Sequence, residues 1–235
     1  MFTSLSLFKN DLIESLPLIM NGLANTLLLA IVISILGLIG GIVVFYFEIR
    51  KHTIIKRFSD AYISFFIGTP LLVILFLIYY GLPQYGFGPS AFVVAVICFT
   101  FNISAYNAAY LSTAYRGLDK SELEAATAQG FSNFQVYRYI ILPQTFSTSV
   151  PALTNQVIGN LKDTSIVFLI GYTDFFARMQ ELASSNFQFF YAYTFTAMVY
   201  VLLVSIIILI AHRMEKRLRI ESVEDSLSNK AKMTF

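Results

Sequence analysis

The sequence predicts an all-α polytopic membrane protein with five transmembrane helices, an N-terminal interfacial helix and a helical cytoplasmic loop. Of the 235 residues, 57% are hydrophobic and 13% are charged, against roughly 45–50% and about 25% in soluble domains. Three stretches contain no Asp, Glu, Lys or Arg: 18–47, 61–115 and 182–212. Because a bilayer core takes about 20 apolar residues per helix, the middle stretch must hold two spans.

The first 19 residues precede the membrane domain and form an amphipathic pattern. Apolar side chains recur at helical spacing, and they are Leu5, Phe8, Leu12, Leu16 and Ile19. Such a face predicts a short helix lying in the membrane interface. No small-residue cleavage pattern of a signal peptide follows, so we expect the first span to be retained. The predicted membrane domain is 20–215, with a cytoplasmic tail over 216–235.

The five spans are predicted at 20–47, 61–81, 90–113, 146–170 and 190–212. Pro70 lies inside the second and should kink it, because proline removes a backbone hydrogen bond. The fourth is unusually polar, since it contains Asn155, Gln156, Asn160 and Lys162-Asp163. A span surrounded by protein can hold such groups. Without it, four spans would put both ends of the chain on one side.

The basic residues indicate which side of the membrane each loop occupies. In the five-span model, 13 of the 16 Lys and Arg residues lie in the loops after the first and third spans or in the tail. The other side has Lys9 and Arg178, and Lys162 is inside the fourth span. Because Lys and Arg are retained in the cytoplasm, the N-terminus is predicted outside and the C-terminus inside. A net charge of +2 gives no reason to expect a nucleic-acid partner; membrane lipid is the expected surrounding.

The cytoplasmic loop at 114–145 contains signals for two short helices. Ser121 with Glu124, and Ser132 with Gln135, have capping-box spacing. Gly130 suits the left-handed position that ends a helix, and Pro143 is expected to stop the second one. Local chemistry leaves open whether this is a solvated hairpin or a surface that a partner approaches.

Residues of this loop resemble the EAA motif of importer-type ABC permeases. The matching residues are Glu124, Ala125, Ala126, Gly130, Ile140, Leu142 and Pro143. Further segments are similar to the polar amino acid branch of that family, namely NGLANTLLLA at 21–30, GTPLL at 68–72, YYGLP at 79–83, AY at 105–106, ILPQ at 141–144 and LKDTS at 161–165.

The resemblance implies a type I ABC importer fold in a bacterial cell membrane. It also implies that Glu124, Ala125, Ala126 and Gly130 form a coupling helix that docks on a cytoplasmic ATPase dimer, which binds ATP and Mg. A second permease subunit, identical or different, and an extracellular or periplasmic solute-binding protein would complete the complex.

Four positions depart from the family pattern in the same direction. Ile67, Ile74, Ala109 and Ser112 stand where the family usually has Arg, Gln, Glu and Arg. The missing acid disfavours a cationic substrate, and the segment 171–186 resembles cystine-type permeases. The resemblance therefore implies cystine or another non-cationic polar amino acid. The same departures would suit pairing with a different permease that keeps the polar groups.

Five polar residues are candidates for the wall of a translocation path: Asn102, Tyr106, Tyr110, Gln156 and Asn160. They lie at helical spacing on the third and fourth spans, where they could equally bond helices together. Lys162 and Asp163 point about 100° apart on a helix. They are interpreted either as ion pairs with another helix or as a gate at the inner mouth.

The chain is not expected to be an enzyme or to hold a cofactor. It has no phosphate-binding Gly-rich loop ending in Lys-Ser or Lys-Thr, and His52 and His212 lack metal-site spacing. The single cysteine, Cys98, stands in an apolar run and is expected to be a small core residue. Two alternatives remain: a gradient-driven secondary transporter, to which intramembrane charges and an interrupted helix would point, and a membrane scaffold without transport.

Overall fold

The computed structural model describes residues 2–50 and 53–232, with side chains for 6–50 and 54–213. The described part is helical almost throughout and contains no strand. The helices are α1 (Phe2–Glu14), α2 (Leu16–Glu48), α3 (Thr53–Gly68), α4 (Leu71–Gly81), α5 (Ala91–Arg116), α6 (Lys120–Ala128), α7 (Asn133–Val136), α8 (Leu142–Asp163), α9 (Phe175–Asn186) and α10 (Phe189–Lys232). Short 3-10 turns cover Leu82–Tyr85 and Thr164–Ile170, and a π-helical turn covers Tyr137–Ile141.

Three described helices are long and apolar enough to cross a membrane: α2, α5 and the Phe189–Arg213 part of α10. α3 and α4 together pass the same test, but they meet at an angle of 93°. The kink predicted at Pro70 is thus confirmed as a complete break, because Pro70 has extended ψ of 128° and caps α4. α10 continues to Lys232, so most of the predicted tail is helical, and 233–235 lie outside the described residues.

The predicted fourth span corresponds to α8 and the 3-10 turn that follows it. α8 is too polar to qualify by hydropathy, yet it lies antiparallel beside α2. The phenol of Tyr137, just before α8, donates to Ile42 O at 2.9 Å, and Asn25 Nδ2 donates to Thr173 O at 2.8 Å near the other end. The segment therefore extends along most of α2, as a membrane crossing requires. The count of five spans stays a prediction.

α2 and α5 form the central helix pair, and their backbones touch at glycines of α2. A Cβ on Gly37 would lie 2.4 Å from Ile103 Cγ2, and one on Gly41 would lie 2.5 Å from Asn107 Cβ. Only glycine, whose side chain is a hydrogen atom, fits where the two helices are this close. Such small residues are common where membrane helices pack together. Cys98 is 1% exposed beside this contact, which confirms its predicted burial.

The end of the bundle where α2 begins is built from α1, α9 and the first turns of α2. α2 begins at Leu16, four residues before the predicted span, and α1 ends at Glu14. The ring of Phe8 stacks on Tyr191 with centroids 5.8 Å apart. The Phe175 amide donates to Thr26 Oγ1 at 2.9 Å. The NGLANT segment (21–26) thus contacts the start of α9, and this contact was not predicted from the sequence.

Candidate functional site

A cavity of about 400 Å³ opens where α3 and α4 separate. Its lining comes from the helix break, α5 and α8, and consists of Ile67, Gly68, Thr69, Pro70, Leu71, Asn102, Tyr106, Gln156, Gly159 and Asp163. The first amides of α4 have no acceptor within their own helix, since an α-helix leaves its first N–H groups unsatisfied. The cavity therefore has a partial positive charge at the α4 end and a carboxyl at the α8 end.

Asn102 holds the broken helix in place. Its Nδ2 donates to Phe66 O at 2.8 Å, a carbonyl in the last turn of α3. Tyr62 of α3 in turn donates through its hydroxyl to Phe101 O at 2.7 Å. These two bonds join α3 to α5 in opposite directions and satisfy carbonyls in a region without bulk water. Asn102 thus lines the cavity and bonds helices together, which the sequence had posed as alternatives.

A hydrogen-bonded chain of polar side chains lies behind the cavity wall. Tyr110 Oη donates to Gln156 Oε1 at 3.3 Å, and Gln156 Nε2 donates to Asn160 Oδ1 at 2.9 Å. Asn160 Nδ2 then donates to Ser34 Oγ at 3.2 Å. Tyr110 and Asn160 therefore connect α5, α8 and α2, and they do not line the cavity. Ser34 is the member of this chain that the sequence did not single out.

Lys162 and Asp163 end α8 and are exposed in the monomer. Asn160, just before them, bonds to Ser34 near the middle of the 33-residue α2. Both charges thus lie about halfway along α2, and their role as a gate stays a prediction. Within the side chains that the structure describes, the one ion pair is Arg178–Glu181, at 2.8 Å. The predicted ion pair of Lys162 or Asp163 with another helix is therefore not formed among the side chains of 6–50 and 54–213.

The four departures from the family pattern occupy different surroundings. Ile67 lines the cavity, whereas Ile74 is 6% exposed within the core. Ala109 does not line the cavity, and Ser112 is buried against Glu48. Of the four, Ile67 is the one that changes the cavity wall directly.

The cytoplasmic loop begins with α6, whose cap differs from the prediction. Asp119 is the N-cap, and its carboxylate accepts from the Ser121 amide at 2.9 Å. The predicted capping box of Ser121 with Glu124 is therefore wrong, because Asp119, two residues earlier, accepts from the free amide and places Ser121 inside the helix. Bonds to Ser121 lower the pKa of Asp119, as a charge-assisted cap should.

The end of α6 and the start of α7 agree with prediction. Gly130 has φ +86°, and the Phe131 amide donates to Ala126 O at 3.1 Å, the pattern of a left-handed C-cap. Ser132 and Gln135 form the complete capping box. Pro143 was expected to stop the helix, but it occupies the first turn of α8, where its missing N–H is tolerated.

The residues of the EAA-like motif divide between two environments. Ala126 is 6% exposed and packs in a cluster with Phe45 and Leu111, near the C-terminal ends of α2 and α5. Glu124, Ala125 and Gly130 are exposed. Ala126 thus anchors α6 against α2 and α5. The exposed side of α6, which includes Glu124 and Ala125, is accessible to a partner.

Helical backbone links this loop directly to the cavity. α7, the π-helical turn and α8 follow one another from Asn133 to Asp163 without a break. A displacement of the loop along this axis would move Gln156 and Asp163 in the cavity wall. The molecule thus joins a cavity at a broken helix to a loop with a short, exposed helix through continuous helical backbone.

The chain belongs to the family of binding-protein-dependent transport system inner membrane components, whose model matches residues 37–220. It is therefore a permease subunit of the ABC transporter class, located in the membrane, and not itself an enzyme. Similar relatives include the probable amino-acid ABC transporter permease PatM of Vibrio harveyi, 38% identical over 81% of this chain and 87% of the relative. The arginine transport system permease ArtQ of Bacillus subtilis is 33% identical over 88% and 95%.

Solved structures confirm the predicted type I importer fold. A crystal structure of an amino acid ABC transporter with histidines matches with a TM-score of 0.79 and 31% identity, over 88% of this chain and 96% of the other. The MetNI methionine transporter matches with a TM-score of 0.72 at 18% identity, which supports the fold alone.

Proposed function

We propose that this chain forms the translocation path of an ATP-driven amino acid importer and couples it to a cytoplasmic ATPase through α6. The observation that carries the proposal is the unbroken helical connection from the EAA-like loop to the cavity at Asp163. The relatives PatM and ArtQ, which are named as amino-acid permeases, support the substrate class.

The cavity offers complementary groups for the two charges of an amino acid. Asp163 is an acceptor for an α-ammonium, and the first amides of α4 are donors for an α-carboxylate. Midplane sites between half-helices bind such groups because the broken helix presents its dipole to the ligand. Thr69, Asn102 and Gln156 add neutral polar atoms between these two ends.

The wall near the substrate side chain favours a non-cationic amino acid. Ile67 and Tyr106 contribute apolar and phenolic surface there, and Asp163 is the single acid in the lining. If Asp163 binds the α-ammonium of the substrate, no second carboxylate remains in the lining to pair with a cationic substrate side chain. We therefore propose a polar, non-cationic substrate, with cystine as the specific candidate.

The remaining partners follow from this function. The exposed face of α6, with Glu124 and Ala125, would dock on an ATPase dimer that binds ATP and Mg. A solute-binding protein would deliver substrate to the outer end near α9, and a second permease subunit would form the other half of the path. The gradient-driven alternative is not favoured by the family to which the chain belongs.

Uptake by the reconstituted complex tests the site. Asp163→Asn should abolish substrate uptake while the complex still contains its ATPase. Asp60→Asn, on α3 and outside the cavity lining, is the matched control and should transport normally. Normal uptake by Asp163→Asn would contradict the site, and uptake that survives ATP depletion would contradict ATP-driven import.

Coupling is tested separately at the loop. Glu124→Lys should weaken ATPase association or substrate-stimulated ATP hydrolysis. Glu122→Lys, at a position outside the EAA-like residues, gives the same charge change nearby and should have the smaller effect. Equal effects of the two variants would show that the motif has no special part in docking.

The proposed orientation places the N-terminus outside and the loop in the cytoplasm. Ser184→Cys in α9 should react with an impermeant thiol reagent in intact cells, and Ser121→Cys should react only after permeabilisation. Both serines are exposed, whereas the native Cys98 is 1% exposed and silent. The opposite labelling pattern would invert the topology.

A further inference from the structure

A second cavity, of about 340 Å³, lies between α8, α2 and α10 and is called the apolar cavity below. Most of its walls are aliphatic or aromatic, and they include Leu38 of α2, Phe146 and Leu153 of α8 and Ile207 of α10. No residue of its described lining is Asp, Glu, Lys, Arg or His. It is distinct from the cavity at the helix break, although Gln156 lines both.

The apolar cavity opens toward the outside of the helix bundle. Val157 of α8 and Ile210 of α10 belong to its lining and are exposed, whereas Val150 and Leu153, deeper in the same lining, are buried. α10 presents most of its apolar membrane span outward. A molecule dissolved in the bilayer can therefore enter beside α10 without passing through the cavity at the helix break.

One polar group in this lining has no partner among the described atoms. Asn107 of α5 is 4% exposed, and its Oδ1 accepts no hydrogen bond from them. The other amides of the lining differ, because Gln156 donates to Asn160 and Asn160 donates to Ser34. Inside a membrane no bulk water is available to satisfy a free carbonyl. A ligand that brings a hydrogen-bond donor to Asn107 is therefore favoured over one that does not.

We propose that the apolar cavity binds an uncharged amphiphile from the bilayer, an aliphatic chain that ends in a hydroxyl group. The hydroxyl bonds to the Asn107 carboxamide, and because a hydroxyl both donates and accepts, it suits either side of that amide. The chain fills the space between the aliphatic walls, which would otherwise lose dispersion contacts. A carboxylate or phosphate head group is excluded, because the lining has no cation and an unpaired buried charge is costly.

The head group of the amphiphile, and not the length of its chain, should decide the affinity. Lipid tails are as apolar as the cavity walls, so a chain gains little hydrophobic free energy when it moves from the bilayer into the cavity. The hydrogen bond to Asn107 is gained only by a molecule with a donor. A long-chain alcohol should thus bind, whereas its methyl ether, which has the same chain and no O–H, should not.

Photolabelling of the complete importer complex in lipid vesicles tests this site. The probe is decanol that carries a photoreactive diazirine on its chain, and mass spectrometry locates the labelled residues. Val157 and Ile207, which line the cavity, should be labelled more than Leu202, which is exposed on α10 outside the lining. An excess of unlabelled decanol should suppress the label in the cavity, and the methyl ether of decanol should not.

Two substitutions distinguish the hydrogen bond from the space that the chain occupies. Asn107→Leu removes the carboxamide with little change in side-chain volume, and it should lower the label in the cavity about fivefold or more. Leu38→Phe keeps Asn107 but fills the cavity, so it should also remove the label. Asn155→Leu, at an exposed position of α8 outside the lining, is the matched control and should be labelled as the parent is.

Three results would overturn the proposal. Equal competition by decanol and its methyl ether would overturn the hydrogen bond to Asn107, a comparison that needs no variant. Unchanged labelling of Leu38→Phe would overturn the cavity as the binding site. A lining that stays unlabelled in the parent complex would show that no amphiphile enters it. Because the label reports binding and not uptake, none of these results bears on the proposed function, which the Asp163→Asn experiment tests separately.

Discussion

Ser112 Oγ donates a hydrogen bond of 2.6 Å to Glu48 Oε1 and so joins the C-terminal ends of α5 and α2. Glu48 is 6% exposed and Ser112 is 5% exposed. The second carboxyl oxygen, Oε2, has no hydrogen-bond partner among the described atoms. The family to which the chain is similar usually has arginine at position 112, so the serine leaves a buried acid with a single donor.

Removing that donor should destabilise the helix pair. We expect Ser112→Ala to lower the free energy of unfolding by about 1–3 kcal/mol, because the buried carboxyl of Glu48 loses its hydrogen-bond donor. Ser205→Ala is the matched control, since Ser205 is exposed and its hydroxyl bonds within α10 to Val201 O. Thermal unfolding in detergent measures both. Equal unfolding midpoints for Ser112→Ala and Ser205→Ala would show that the Ser112 hydrogen bond contributes nothing to stability.

The close approach of α2 and α5 predicts a strong effect of a single methyl group. Gly37→Ala should cost about 1–3 kcal/mol, because its Cβ would overlap Ile103 Cγ2. Replacing Ile103 with Ala removes that atom, so Gly37→Ala should be less costly in the Ile103→Ala background than in the parent. A double-mutant cycle of unfolding free energies measures this coupling. Additive effects would contradict direct contact, and Gly88→Ala, in an exposed turn, should be neutral.

Periodicity and charge patterning were sufficient to predict the apolar spans, because α2, α5 and α10 each bury one face and expose the other to lipid. They could not predict how completely Pro70 separates α3 from α4. That angle depends on how α3 is held against α5, through the bonds of Asn102 to Phe66 O and of Tyr62 to Phe101 O, whose partners lie far apart along the chain. Local propensity also favoured a cap at Ser121, but Asp119 with Glu122 has the same spacing as Ser121 with Glu124, so spacing alone could not decide between the two caps.

The sequence could predict which polar residues belong to the candidate site. It could not predict how these residues are arranged around the cavity. A polar stripe on a membrane helix indicates an inward face, so Gln156 and Asn160 were identified together. Whether Gln156 and Asn160 line the cavity or bond to another helix depends on which side chains of the neighbouring helices face them. Ser34, opposite Asn160, has no distinguishing sequence signal. The position of Lys162 along α2 could not be predicted, because it follows from the register of α8 against α2.

The left-handed backbone of Gly130 predicts a test that involves no side-chain contact. Its φ is +86°, and no described atom lies within 4 Å of a Cβ built there, so a substitution changes backbone strain alone. Gly130→Ala should destabilise the loop by about 1–2 kcal/mol. Gly130→Asn should cost less, because asparagine tolerates this conformation. Hydrogen exchange of the α6 amides reports the change.

Gly117 provides the control for this comparison. It is exposed and ends α5 with φ −89°, which any residue can adopt. Gly117→Ala should leave the exchange of α6 unchanged. If Gly130→Ala and Gly130→Asn were equally damaging, the requirement would lie in the surface that a partner contacts and not in the backbone.

A buried carboxyl at the start of α9 predicts a pH dependence of stability. Asp174 is 0% exposed and lies between the fourth and last predicted spans. Its Oδ1 accepts from the Ala177 amide at 2.8 Å, and Oδ2 has no partner among the described atoms. Burial raises the pKa of Asp174 from 3.8 to about 6. The folded chain therefore binds this proton more tightly than the unfolded chain does.

The sign of the effect follows from linkage. Stability from this group is fully present below the ordinary pKa of 3.8 and is lost as the pH rises to about 6. Asp174→Asn keeps a capping oxygen but cannot ionise. Its free energy of unfolding should equal that of the parent chain near pH 4 and exceed it by roughly 2–3 kcal/mol above pH 6. Unfolding midpoints from pH 4 to 8 measure this difference.

Asp119 is the control for that pH series, because its pKa is shifted in the opposite direction. Hydrogen bonds from Ser121 lower the pKa of Asp119, so its ionised form stabilises α6 at neutral pH and protonation removes that support in acid. Asp119→Asn should therefore give no gain in stability above pH 6, where Asp174→Asn should gain. A gain of equal size in both variants would indicate a general effect of removing negative charge, and the buried position of Asp174 would then not be its cause.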